Sequence, residues 1–446
     1  MTGKPKNARE TALFALQAME TKGLYSDQAL NQFADAANLD SRERGLAARL
    51  LYGVLQNRYL CDFYIRSYSK IRLKKIQALI LLLLELAVYQ IVFMDRIPNN
   101  AAVNESLELM KCFGKANPRT IGFANGILRS IVRDVDQLPT LNEKTKAEYY
   151  SIRYSHSLWM VQRWMEQFGA KVTQEILQAG NEIPPICLRV NLEKGDPETV
   201  QKQLQEEGVS AHVHPHIANL ILCPEGLSIA KHPLFLNGTV TVQDGASMTA
   251  VDVLAPQKDS LVLDCCAAPG GKSFYIAEKL QNTGKVISCD IYSEKLKKIQ
   301  QGSQRLGLSN LETRLQDASK PVAEWIETAD FVLCDVPCSG LGIIRKKPEI
   351  RYKSDEELAG LPEIQFQILR NAAQYVKKGG TLVYSTCTIL QRENQDVIQQ
   401  FLKETPEFRL CSFETPITGE CSQGFFTFLP GKYETDGFFI AKLSKI

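Results

Sequence analysis

Leu261–Ser273, "LVLDCCAAPGGKS", ends in the Gly-Lys-Ser of a phosphate-binding loop, but its first half does not belong to one. That loop requires a glycine five residues before the final Gly-Lys-Ser, where the backbone turns round the phosphates. Cys266 stands there, so a nucleoside triphosphate cradle is excluded. What remains is an apolar strand ending in Asp264, a small-residue turn with Pro269, Gly270 and Gly271, and the start of an amphipathic helix. This is the first strand-to-helix turn of a nucleotide-type α/β domain, in which a ligand meets backbone N–H groups at a helix N-terminus.

Outward from that turn, strand-like and helical segments alternate from Thr239 to the end: "LVLDCC", "KVISCD", "LETRLQD", "ADFVLCDVP", "GGTLVYSTC" and a terminal "DGFFIAKL". The alternation predicts a Rossmann-like, mainly parallel sheet with helices on both faces, its ligand lying beyond the carboxyl ends of the strands. Asp264, Asp290, Asp317 and Asp335 end the first four strands and form a rim there. Asp290 is placed like the acid that bonds a ribose hydroxyl, about 20 residues after the turn. The turn itself lacks the dinucleotide glycine fingerprint, since "AAPGGK" supplies only two adjacent glycines. A cofactor with ribose and adenine but no pyrophosphate fits these features, namely S-adenosylmethionine. Its amino-acid end is expected at Cys266, Ala267, Ala268, Pro269, Gly270, Gly271 and Lys272, and its adenine at Asp317.

Two cysteines carry the chemistry. Cys338, in "DVPCSG" beside Asp335, and Cys387, in "YSTCT", follow the fourth and fifth strands on the ligand side, whereas Cys265, Cys289 and Cys334 read as packing. They form no CxxC pair and no histidine is near them in sequence, so no metal is expected. The pair has a clear use if the substrate is cytosine: its C5 is a poor nucleophile towards a methyl sulfonium, but a thiolate added at C6 makes C5 enamine-like. Asp335 can stabilise charge at N3 and the exocyclic amine, and a base must then remove the C5 proton so that the thiol can leave. The spacing leaves open which cysteine attacks.

"IIRKKPEIRYK" places Arg345, Lys346, Lys347 and Arg351 directly after the Pro-Cys loop, where contact with nucleic-acid phosphates is expected; "SKIRLKK" (Ser69–Lys75) is a second basic cluster. The target base must be unpaired, because a duplex would stack and hide it. In "AHVHPH", His212, His214 and His216 are expected on an exposed strand face rather than on a metal. In "VQDGASM", Gln243, Asp244 and Ser247 are expected to organise the pocket or to cap a helix.

The 446 residues exceed one ordinary core. A hydrophobic share of 44% and a charged share of 23% describe a folded chain, and the net charge of +2 neither demands nor excludes a nucleic-acid partner. Twelve cysteines, largely inside apolar runs, point to a reducing compartment rather than a disulfide framework. No signal-peptide pattern opens the chain. "ALILLLLELAVYQIVF" (Ala78–Phe93) is short for a membrane span and holds Glu85 and Gln90, so it reads as a buried helix. A cytoplasmic monomer is expected. Residues 1–140 read as an all-α bundle, 141–238 as a small α+β unit, and 239–446 as the catalytic α/β domain.

"LDCCAAPGGKS", "DVPCSGLGIIRKKPEI", "YSTCTI" and "TDGFFIAKL" together resemble the RNA cytosine-C5 methyltransferase family, also called the NOL/Nop/Sun family. "IPNNAAVNESLELMKCFG" with "GFANGILRSIV" resembles the closing half of a NusB-like RNA-binding domain, with Asn104 and Glu105 opening one helix and Phe123, Asn125 and Gly126 in the next. The combination, over nearly the whole chain, is similar to the bacterial small-subunit ribosomal RNA branch of that family. The resemblance implies Cys387 as nucleophile and Cys338 as the group that releases the product. It also implies cofactor contacts at Cys266 to Lys272, Asp290, Asp317 and Asp335, a middle unit serving as an RNA platform, and methylation of a cytosine in 16S ribosomal RNA. Transfer RNA as substrate, or a non-catalytic RNA-binding or ribosome-assembly factor, are the competing readings. Two strand-end thiols speak against the second.

Overall fold

Eight α-helices build the first compact unit of the computed structural model, Met1–Asn181 with Ile344–Asp355; residues 3–225 and 227–446 of the chain are described. The helices are α1 (Ala8–Lys22), α2 (Ser26–Ala36), α3 (Ser41–Tyr68), α4 (Ala78–Phe93), α5 (Asn99–Cys112), α6 (Pro118–Arg133), α7 (Lys146–Tyr154) and α8 (Leu158–Ala179). Asn7, Asp40 and Asn117 start α1, α3 and α6 by accepting an otherwise orphaned N–H, and Thr145 with Glu148 forms a capping box on α7. α4 carries apolar residues on all sides and lies at the centre of the core, as its composition requires. Its buried Glu85 is paired with Arg58 Nε at 2.8 Å. Two expectations are corrected. α5 begins at Asn99, so Asn104 and Glu105 lie within it, and α7 and α8 group with the helical unit rather than with the middle one.

Ile344–Asp355 joins these helices although it follows the Pro-Cys loop in sequence. Arg351 is fully buried. Its Nε donates to the Pro348 carbonyl, Nη1 to Asn181 Oδ1 at 2.7 Å and to the Gln56 carbonyl, and Nη2 to the Gly180 carbonyl at 2.9 Å. Ser157 Oγ and Trp159 Nε1 donate to the carbonyls of Arg351 and Lys353, while Glu349 accepts from Ser26. Arg345 is buried as well. The expected phosphate contacts at Arg345 and Arg351 are therefore corrected: both guanidinium groups are enclosed by protein, and those of Arg351 are spent on carbonyls. Lys346 and Lys347 are half-buried, with Lys347 Nζ 4.7 Å from the centre of the Tyr25 ring.

The second unit comprises Glu182–Ile343 and Glu356–Ile446. It opens with β1 (Ile186–Val190), α9 (Pro197–Glu206), β2 (His212–His214), β3 (Ile217–Cys223), α10 (Pro233–Leu236) and β4 (Val240–Val242). These strands form an antiparallel sheet in the order β2-β3-β1-β4. The middle sheet thus runs past Gly238 and takes β4 from the stretch assigned to the catalytic domain. The register shifts after Val213, and His214 is buried with Nε2 3.0 Å from the Tyr433 carbonyl, so the three histidines do not share an exposed strand face.

Next come α11 (Gly245–Leu254), β5 (Leu261–Asp264), α12 (Gly271–Lys279), β6 (Lys285–Asp290), α13 (Ser293–Leu306), β7 (Leu311–Leu315) and β8 (Ala329–Asp335). They are followed by the short α14 (Asp355–Leu358), α15 (Leu361–Ala373), β9 (Val376–Thr386), α16 (Gln395–Glu404), β10 (Phe408–Leu410), β11 (Phe413–Thr415), β12 (Gly419–Cys421), β13 (Phe425–Phe428) and β14 (Phe438–Lys445). The large sheet runs β10-β14-β9-β8-β5-β6-β7, parallel from β9 to β7, with β14 antiparallel to β9 and to β10. β5, β6 and β8 are nearly continuous apolar runs because helices cover both faces of a parallel sheet. β5 sits between β6 and β8, so the strand order reverses there and opens a crevice at the strand ends.

Candidate active site

From Asp264 the chain turns through Cys265–Gly270 into α12. Gly270 adopts φ 109°, and a Cβ there would lie 2.6 Å from Phe274 Cζ, so this turn needs glycine. The Ala267 N–H donates to the Cys289 carbonyl at 2.7 Å and ties the turn to β6. The turn lines a cleft of about 170 Å³ together with Gln243, Asp244, Ser247, Asp264 and Asp335. Cys266, Ala267, Ala268, Pro269, Gly271 and Lys272 all face it. Asp244 also caps α11, as one of its two readings expected, and its side chain lines the cleft.

Electrostatics in the cleft follow from burial. Ser273 Oγ donates to Asp264 Oδ2 at 2.6 Å, yet burial pushes the Asp264 carboxyl up to about 7. Lys272 Nζ donates to Asp335 Oδ2 at 2.7 Å, and Ser385 Oγ to Asp335 Oδ1 at 2.8 Å. Burial pulls the Lys272 ammonium down, but the Asp335 carboxylate outweighs it and the net shift is upward. The site therefore presents backbone N–H groups at a helix N-terminus, a cation and several carboxyls within one cleft. Among the described residues, Asp264 Oδ1 is buried without a hydrogen-bond partner. That donor and acceptor set suits the carboxylate and ammonium of S-adenosylmethionine. Asp290 and Asp317 stand outside the cleft lining, at the ends of β6 and just past β7. Asp290 accepts from the Tyr292 N–H at 2.9 Å, and bonds from Ser319 hold the Asp317 carboxyl below the usual range.

The fold brings the two expected thiols together: Cys338 Sγ lies 3.3 Å from Cys387 Sγ, although 49 residues separate them. Contact with Cys387, and then burial, pushes the Cys338 thiol well above its ordinary value. A scaffold that sequence reasoning missed holds the pair. Glu393 is buried and its Oε2 accepts from the Ser339 N–H and from Gln365 Nε2, both at 2.9 Å. Asn394 accepts from Thr386 Oγ1 at 2.6 Å and donates to the Thr388 carbonyl at 3.0 Å, clamping the turn that carries Cys387. The Gly342 N–H donates to the Cys387 carbonyl at 2.9 Å; a Cβ on Gly342 would fall 1.9 Å from the Gly437 oxygen. "QREN" directly after "TCTIL" was the only available signal, and nothing local marks its partners. Among the described residues no group of three or more His, Cys, Asp or Glu could hold a metal ion, and no helix is long and apolar enough to cross a membrane.

Residues 251–444 match the family described as 16S rRNA methyltransferase RsmB/F, residues 6–133 the NusB family, and residues 156–230 the RsmF/B-like ferredoxin-like domain. The "Probable ribosomal RNA small subunit methyltransferase B" of Bacillus subtilis is 36% identical, covering 99% of either chain. The ribosomal RNA small subunit methyltransferase B of Cronobacter sakazakii is 30% identical, again covering 99% of each. The solved structure of PH0851 matches with a TM-score of 0.84 at 25% identity over 100% of both chains.

Proposed function

Because the chain belongs to the 16S rRNA methyltransferase RsmB/F family, we propose that it methylates C5 of one cytosine in that RNA through a covalent bond between Cys387 and cytosine C6. The observation that carries this reading is the 3.3 Å contact between two strand-end thiols; attack by Cys387 and release by Cys338 are the roles that the family resemblance implies for them.

The Cys387 thiolate adds to C6, and the electron pair of the C5–C6 double bond moves through the ring towards N3. Asp335, oriented by Lys272 and Ser385, bonds the exocyclic amine and shares a proton with N3 as charge develops there. S-adenosylmethionine, when bound, supplies an electrophilic methyl group to C5. A base then removes the C5 proton, the C5–C6 double bond re-forms, and the C6–S bond breaks to return the thiolate. Cys338 is the candidate for that base: its thiol first releases its own proton to solvent, and the resulting thiolate takes the C5 proton as the Cys387 thiolate leaves C6. Cys266 to Lys272, Asp264 and Asp335 hold the cofactor, with Asp290 meeting its ribose and Asp317 its adenine. Lys346 and Lys347 are the phosphate contacts that remain from the basic run, and the helical and middle domains bind RNA. We place the reaction in the bacterial cytoplasm, carried out by a monomer.

The test is incorporation of labelled methyl from S-adenosylmethionine into unmethylated 16S rRNA, followed by nucleoside digestion. Label in 5-methylcytidine is expected; label in any other nucleoside overturns the C5 assignment.

A further inference from the structure

Arg189 lies on β1 of the middle sheet, outside the motifs that carry the chemistry, and it is completely buried. An enclosed guanidinium is costly unless its donors are used. Its Nε donates to Gln243 Oε1 at 2.7 Å, and its Nη1 is ion-paired with Glu278. The guanidinium carbon stands 4.7 Å from the centre of the Tyr275 ring. Tyr275 and Glu278 lie three residues apart on α12, hence on one face of that helix. Gln243 is buried, lines the cofactor cleft, and packs where a Cβ on Gly271 would lie 3.6 Å from its Cδ. One planar group therefore grips both sides of the cleft, the Gln243 carboxamide through Nε and the helix behind the glycine turn through Nη1 and its π-face. A lysine has a single point of attachment and cannot span the two.

We propose that Arg189 is a positioning residue for S-adenosylmethionine: by fixing Gln243 against the first turn of α12 it sets the width of the cofactor cleft. Arg189 touches neither cofactor nor cytosine and acts through Gln243 and Glu278. The inference rests on the cofactor site alone, so it stands or falls separately from the C5 assignment.

The test is calorimetric binding of S-adenosylhomocysteine to the full-length protein without RNA, using Arg189→Lys, Gln243→Ala and the double variant. Arg189→Lys is expected to raise Kd at least about tenfold, equivalent to about 1.4 kcal/mol, while the KM for RNA stays within about twofold. Gln243→Ala should weaken binding similarly, and the double variant should cost little more than the worse single variant, because both break one linkage. Arg189→Lys binding within about twofold of wild type would overturn the proposal, as would fully additive losses. If Arg189→Lys does not fold, Gln243→Ala decides alone: unchanged Kd overturns the proposal, and a tenfold rise supports it.

Discussion

The Asp264 carboxyl is pushed up to about 7 because its burial outweighs the bonds from the Ser273 hydroxyl and the Cys266 backbone. Its folded pKa of about 7 exceeds the ordinary 3.8, so the native state favours the protonated form. The stability this confers is complete below about pH 4 and is lost as pH rises through about 7, by up to about 4 kcal/mol. Asp264→Asn should flatten that slope: between pH 5 and 8 the urea midpoint of the wild type should fall more than that of the variant. Parallel curves would show that the carboxyl does not titrate there. Asp335 accepts from Lys272 Nζ and Ser385 Oγ. Lys272→Met should cut kcat about 10²-fold or more by leaving that carboxylate misdirected, with single-turnover methyl transfer as the readout. Residues such as Asp264, Asp335, Cys338 and Cys387 were legible in sequence because each chemistry-bearing type follows an apolar strand. Arg189, Glu393 and Asn394 were not, since their partners lie far along the chain.

At the scale of elements, the site depends on how closely the Pro-Cys loop meets the segment before β14. Gly342→Ala puts a methyl into the Gly437 carbonyl and strains the turn bonded to Cys387. It should cost about 1–3 kcal/mol by thermal unfolding and lower kcat at least about tenfold; an unchanged kcat would detach this contact from the chemistry. In the helical unit, Arg58→Met strands Glu85, whose carboxyl burial pushes up to about 8. A loss of about 1–3 kcal/mol is expected from stranding a buried, mainly protonated carboxyl, measured by chemical denaturation at neutral pH. The alternation from β5 to β9 was readable because parallel strands covered on both faces are apolar throughout. The edges were less readable: β4 pairs with β1, and α7 and α8 join the bundle, through contacts that local polarity does not encode. Ile344–Asp355 misled most, since five cations in eleven residues look solvated until Arg351 is seen spending its donors on carbonyls.

For the whole molecule, methylation of 16S rRNA requires that a long polyanion be held while one base enters the cleft. Lys70, Arg72, Lys74 and Lys75 are exposed on the helical unit and suit phosphate contact. Replacing all four by alanine should weaken RNA binding and reduce the slope of log Kd against log salt by about one per lost contact, while leaving cofactor Kd unchanged. An unaltered salt slope would remove this cluster from the RNA path. Family membership and fold follow from the chain as a whole, whereas the proposed chemistry turns on two sulfur atoms 3.3 Å apart. The measurement that bears on it most directly is peptide mapping of the RNA adduct trapped by Cys338→Ala in the presence of S-adenosylmethionine. A stable adduct at Cys387, carrying a 5-methylated cytosine bonded through C6, is the predicted result. An adduct that forms only in Cys387→Ala, with Cys338 attached to the base, would contradict it and exchange the roles of the two thiols.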